Sequence, residues 1–137
     1  MRIFLVRHGV AENKRLSEFG RAQIRESALK LKGMELSGVV LCSSPELRAV
    51  ESAEIIKEEF GLEKFEQCGW LGAWVSGLDV AGGLVRASEA CNPTGALIAV
   101  SHMPQIEDLA SALGCREPAD NGSIFEIDPE GEWAKRL

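Results

Sequence analysis

Long apolar runs are missing from this chain of 137 residues. None approaches the ~20 residues that a membrane-crossing helix requires. Positive charge is in deficit, with 15 Lys and Arg against 21 Asp and Glu and a formal net charge of −6. A surface built to neutralise nucleic-acid phosphates or to dock on anionic lipid needs the opposite balance. No nucleic-acid or membrane partner is therefore expected. Neither GxGxxG nor GxxxxGK followed by Ser or Thr occurs, which removes the common nucleotide-binding loops. Cys42, Cys68, Cys91 and Cys115 form no CxxC pair, and neither histidine sits near a cysteine in a ligand pattern. No metal site and no cofactor are expected. The opening run Ile3-Phe4-Leu5-Val6 is too short for a signal peptide. With scattered thiols, this points to a cytoplasmic protein whose cysteines fill small core spaces.

What remains is an ordinary globular composition, 45% hydrophobic and 26% charged, of a length suited to one domain over residues 1–137. Three short runs, Ile3–Val6, Val39–Cys42 and Leu97–Val100, are continuously apolar and rich in β-branched residues. Such runs fit strands buried on both faces, as in a parallel sheet covered by helices. Between and after them lie helical patterns. The first runs from an N-cap at Ser17 to Gly33, with Ile24, Ala28 and Leu31 on its apolar stripe. The second opens at Ser44-Pro45 and closes at Gly61. A third spans about Asp79 to Ala90, and a fourth opens at Met103-Pro104 and closes at Gly114. Ser123–Asp128, the turn Asp128-Pro129-Glu130-Gly131 and Glu132–Arg136 read as a closing antiparallel hairpin. The architecture expected is a three-layer α/β/α fold with a mostly parallel central sheet and a C-terminal β-hairpin. Trp70 and Trp74 are expected in the core, with a substrate or partner surface as the alternative, and Lys14 and Arg15 in a solvated loop, with a basic rim as the alternative.

Histidine is the scarcest chemical resource, with two in the chain. His8 follows the first strand in Val6-Arg7-His8-Gly9, and His102 follows the Leu97–Val100 strand in Ser101-His102-Met103-Pro104. Ligands of parallel α/β sheets bind outside the carboxyl ends of the strands, and both histidines fall on that edge. Arg48, one turn into the second helix, leans back toward the same edge. Two arginines, two histidines and two helix starts make an anion site whose forked donors suit phosphoryl oxygens.

These residues resemble a known set of motifs. Arg7-His8-Gly9 matches the RHG motif of the histidine phosphatase (phosphoglycerate mutase-like) superfamily. The run from Leu16 to Gln23 resembles its Leu-Ser/Thr-x-x-Gly-x-x-Gln segment, and Ser44-Pro45-Glu46-Leu47-Arg48-Ala49 its Ser-Pro-x-x-Arg-Ala segment. Ser101-His102 matches the second histidine. The short chain and the Ser-His-Met-Pro run are most similar to SixA-type phosphohistidine phosphatases. The resemblance implies a phosphoglycerate mutase-like fold and a metal-independent phosphatase. It implies His8 as nucleophile, forming a phosphohistidine enzyme, with Arg7, Arg48 and His102 holding the phosphoryl oxygens. The substrate implied is a phosphohistidine-bearing protein. A small phosphorylated molecule hydrolysed by the same core, or a non-catalytic phosphate-binding scaffold, are the alternatives. A general acid for ester substrates has two candidates, Glu66 and Asp79. An imidazole leaves phosphorus readily, whereas an alkoxide needs a proton donor, so a site without that acid favours P–N bonds.

Overall fold

Alternate residues of the first strand face two different cores, and this decides the layering. The computed structural model describes residues 1–137. Strand β1 (Arg2–Arg7) sends Phe4 and Val6 to one side and Ile3 and Leu5 to the other. Both sets are buried, which is why the run reads as continuously apolar. A two-stranded hairpin follows, β2 (Ala11–Glu12) with β3 (Arg15–Leu16). Asn13 and Lys14 form its turn with φ of 49° and 69°, the left-handed pair that suits a two-residue hairpin.

Helix α1 (Glu18–Lys32) is capped by Ser17, whose hydroxyl accepts the Gly20 amide. Strand β4 (Val39–Ser43) and helix α2 (Leu47–Phe60) come next, then the short strand β5 (Glu66–Gln67) and a 3-10 turn over Gly69–Leu71. Helix α3 (Gly77–Glu89), strand β6 (Ala96–Ser101), helix α4 (Gln105–Ala112) and strands β7 (Ile124–Asp128) and β8 (Trp133–Arg136) complete the chain. The six-stranded sheet runs β5-β4-β6-β1-β7-β8. Its first four members are mutually parallel, while β7 pairs antiparallel with β1 and β8. This is the expected three-layer sheet with its closing hairpin.

Helices α1 and α2 cover one face, packing Ile24, Leu31, Ala53 and Ile56 on Phe4, Ile98 and Val100. Helices α3 and α4 cover the other, with Val80, Leu84 and Ile106 against Leu5, Leu97 and Phe125. Cys42 and Cys115 are buried, and Cys68 and Cys91 are half-buried against the same core. Trp70 packs over Gly83, where a Cβ would strike its ring. Trp74 corrects the sequence expectation, because it is 95% exposed. The inward contacts of its loop are made by backbone: the carbonyls of Gly72 and Ala73 accept from Gln105 Nε2. The Trp74 side chain is left to solvent. Lys14 and Arg15 are exposed, as expected, and Arg15 also pairs with buried Glu51 at 3.1 Å. No helix is long and apolar enough to cross a membrane.

Candidate active site

Strand register brings the site together. Arg7 lies level with Ser101, and Ser43 with Val100. The residues just beyond these pairs, His8, Ser44 and His102, therefore leave three neighbouring parallel strands at the same height. Backbone bonds continue the ladder past the strands, from His8 N to the Ser101 carbonyl and from Ser44 N to the Val100 carbonyl. The chain then diverges, with α1 and α2 on one face and α4 on the other, so a crevice opens at this edge.

His8 is held by its neighbours on both ring nitrogens. Its Nδ1 lies 2.8 Å from the Gly9 carbonyl oxygen, which can only accept, so Nδ1 donates. Its Nε2 accepts from Arg48 Nε at 3.2 Å. The ring is thereby fixed as the neutral tautomer with its lone pair on Nε2. Burial pushes its pKa down to about 4, with the Arg48 and Arg7 charges acting in the same direction against the Gly9 bond. His102 stands beside it, with ring centroids 5.1 Å apart and planes at 61°. Burial, then His8 and the two arginines, push His102 down to about 3. Both rings are neutral at neutral pH.

Ser44 sets the His102 ring. Its hydroxyl lies 2.7 Å from His102 Nε2 and accepts the Glu46 amide at 3.2 Å. His102 Nδ1 and Arg7 Nε are buried with no hydrogen-bond partner in the folded chain. Leaving such buried polar atoms unpaired costs about 1–3 kcal/mol each. Arg7 is oriented by donating from Nη1 to the Ala119 carbonyl at 2.7 Å.

The surrounding shell is built from small residues and amides. Ser52 Oγ accepts the Gly9 amide and donates to the Arg48 carbonyl. Asn121 Nδ2 and the Gly122 amide both donate to the His8 carbonyl. Glu51, buried in α2, accepts from the Leu16 amide, Arg15 and Arg21. Burial alone would raise its pKa, but these three donors together hold it below the ordinary carboxylate range. Sequence reading missed these partners. A glutamate on an apolar helix stripe, at the position of Glu51, is the signal that could have found one of them. Ser44 was legible as a helix start, although α2 itself begins at Leu47.

Arg7, His8, Arg48 and His102 are thus brought together, while Glu66 and Asp79 are not. Glu66 is exposed on edge strand β5 and lines a cavity of about 670 Å³ with Cys42, Cys68 and Trp70. That cavity contains none of the four site residues. Asp79 is exposed in the first turn of α3, where its amide donates to the capping Ser76. Three other carboxylates lie near the group: Glu46, at 3.9 Å from Arg48 Nη1, and Asp120 and Glu107, whose charges act on Arg7.

The histidine phosphatase superfamily (branch 1) family model matches residues 3–70. No curated protein sequence matches the chain. Among solved structures, the protein histidine phosphatase SixA complexed with tungstate is 22% identical, with 100% of this chain and 94% of that one covered and a TM-score of 0.83. The mycobacterial glucosyl-3-phosphoglycerate phosphatase is 20% identical, covering 99% and 96% at a TM-score of 0.71. A phosphoserine phosphatase mutant from Entamoeba histolytica, in complex with phosphoserine, is 16% identical, covering 98% and 94% at 0.74. With the family's sequence pattern matched from the first strand to the turn after the second helix, and its fold reproduced along the whole chain, this protein belongs to the histidine phosphatase superfamily.

Proposed function

We propose that this protein hydrolyses phosphohistidine on a protein substrate through a phosphohistidine enzyme intermediate at His8. One observation carries the reading. A neutral imidazole presents its Nε2 lone pair beside Arg48, while Arg7 Nε and His102 Nδ1 stand buried and unpaired around it. That is a nucleophile within a preformed set of phosphoryl-oxygen donors.

His8 Nε2 attacks phosphorus, and Arg48 Nε passes from Nε2 to a phosphoryl oxygen. The substrate ring reacts with a proton on its other nitrogen, so the P–N bond breaks with its electron pair going to the ring, which departs as neutral imidazole. Arg7, Arg48 and His102 hold the three non-bridging oxygens and offset the charge they carry in the transition state. Ser44, by giving its hydroxyl proton to His102 Nε2, keeps the ring hydrogen on Nδ1, where it can donate to phosphate. Water then attacks the phosphohistidine, releases orthophosphate and regenerates neutral His8. The arginines supply the positive charge that a divalent ion provides elsewhere, so turnover is expected to survive EDTA.

The P–N preference is supported by the placement of the carboxylates. Glu66 and Asp79 touch none of the four residues, and Glu46 contacts Arg48, not a histidine. Near Arg7, Glu107 accepts the Ala119 amide and Asp120 pairs with Arg136, so neither is placed as a free acid for an alkoxide leaving group. The decisive experiment compares kcat/KM for a phosphohistidine-bearing protein or phosphoramidate with that for p-nitrophenyl phosphate, in the presence of EDTA. Strong preference for the P–N substrates is expected. Comparable turnover of the ester would favour a small-molecule phosphomonoesterase and make Glu46 the first residue to substitute. The His8→Ala variant should lose at least about 10³-fold in rate and form no acid-labile phosphoenzyme. Wild-type protein that turns over neither class would favour a non-catalytic scaffold.

A further inference from the structure

Three of the four cysteines line one cavity, the one of about 670 Å³ that Glu66 also lines. Cys42 comes from β4, Cys68 follows β5 and Cys91 follows α3. Residues distant in the chain are thus gathered at one place, while Cys115 lies elsewhere in the core.

Sheet register places Cys42 and Cys68 side by side. Cys42 is level with Glu66 in the parallel β4–β5 pair. Side chains two residues apart on a strand share a face. The ladder runs on to Cys68, whose amide donates to the Ser43 carbonyl at 2.8 Å. Cys68 therefore stands on the same side of the sheet as Cys42, and the two sulfurs meet. The Cys42 thiol donates to Cys68 Sγ, and the Trp70 side chain donates to the same sulfur.

The four thiols are not equivalent. Donors aimed at a sulfur favour its thiolate. The bond from Cys42, with that from Trp70, holds the Cys68 thiol below its ordinary range, against burial and the Glu66 charge. The same bond, with burial, pushes Cys42 up, so Cys42 keeps its hydrogen while Cys68 gives its own away. Cys91 donates to the Ala87 carbonyl at 3.2 Å, and burial pushes it up as well. Cys68 is half-buried at the cavity, whereas Cys42 and Cys115 are buried. An accessible, activated sulfur touching a second thiol is the arrangement that oxidants select.

We propose that Cys68 and Cys42 form an oxidation site for hydroperoxides, with Cys68 as the attacking sulfur and Cys42 as the resolving one. The Cys68 thiolate attacks a peroxide oxygen. The O–O bond breaks, hydroxide leaves and takes up a proton as water, and Cys68 becomes a sulfenic acid. The Cys42 sulfur then attacks Cys68 Sγ and loses its proton. The S–O bond breaks, the hydroxyl departs with that proton as a second water, and a Cys42–Cys68 disulfide remains. Two thiols have lost two electrons and two protons, and one hydrogen peroxide has become two waters. A thiol reductant reverses the change, as fits a transient bridge. The step uses none of the residues at the histidine edge and stands apart from the function proposed above.

The test treats reduced, folded wild-type protein with one equivalent of hydrogen peroxide, alkylates the remaining thiols and maps the peptides by mass. The dominant product should be an intramolecular Cys42–Cys68 linkage, with Cys91 and Cys115 alkylated. The Cys68→Ser variant should consume peroxide at least about tenfold more slowly. Cys91→Ser should react like wild type. In Cys42→Ala the sulfenic acid has no resolving partner, so dimedone should label Cys68 there and not in wild type. Urea midpoints identify any variant that fails to fold, and the wild-type map then decides alone. Linkage through Cys91 or Cys115, a bridge between two chains, or random pairing like that of urea-unfolded protein would overturn the inference. So would a folded Cys68→Ser that consumes peroxide as fast as wild type.

Discussion

At His8, in the mechanism proposed above, one residue's protonation state governs the chemistry. An exposed histidine is half-protonated near pH 6.5 and a weak nucleophile below it. Burial beside Arg48 and Arg7 holds His8 at about 4, so its lone pair is available across the physiological range. A 15N-detected titration of the two imidazoles should show His8 as the Nδ1–H tautomer, unchanged from pH 8 to 5. A midpoint near 6.5 for either ring would contradict the hydrogen-bond pattern described here. The residues with this chemistry were readable in sequence because they are adjacent to strand ends. Their tautomers were not, since these depend on the Gly9 carbonyl and the Ser44 hydroxyl, whose positions no spacing rule supplies.

Among the elements, α1 shows how a glycine can set the geometry of the loop that follows His8. Its first turn lies directly on the loop that follows His8. A Cβ on Gly20 would strike the Val10 carbonyl, and one on Gly9 would strike the Gly20 carbonyl. Both glycines belong to the matched motifs, and this mutual approach is their physical reason. Gly20→Ala should destabilise the fold by about 1–3 kcal/mol in urea titrations and lower kcat by displacing the loop. Gly69→Ala, whose Cβ would meet nothing within 4 Å, should stay within about 0.5 kcal/mol of wild type. Equal effects at the two positions would refute the packing argument. Sequence reading recovered the long elements here. The apolar stripe of Ile24, Ala28 and Leu31 is fully buried, and the strands lie where the β-branched runs are. It missed the β2–β3 hairpin and β5, whose two-residue strands are too short to carry a period.

For the whole molecule, the two buried rings link stability to pH. Their folded pKa values of about 4 and about 3 lie below the ordinary 6.5 of the unfolded chain. Between these values the unfolded state binds protons that the folded state refuses, so stability is complete above pH 6.5 and falls as the pH drops toward 4. The acid limit of this loss is roughly 3 to 5 kcal/mol per ring, a large share of the 5 to 15 kcal/mol typical of a domain. The depressed carboxylates Glu51 and Glu126 lose their contribution only at lower pH. Unfolding free energies in urea should therefore decline between pH 6.5 and 4.5, and His8→Asn should flatten that slope. A wild-type profile flat from pH 7 to 4.5 would show that the rings are not held neutral.

The sequence by itself determined the layering and singled out the four residues that the fold brings together. Alternating burial needs continuous apolar strands, and an anion site needs cationic and imidazole groups at strand ends, both of which are local patterns. Tertiary structure alone decided which groups meet. Only the register of β4, β6 and β1 levels His8 with Ser44 and His102, and only packing leaves Arg7 Nε and His102 Nδ1 without partners. It also placed Glu66 and Asp79 away from the His8 and His102 pair and turned Trp74 outward. These outcomes depend on contacts between residues far apart in the chain, and a linear pattern carries no term for them.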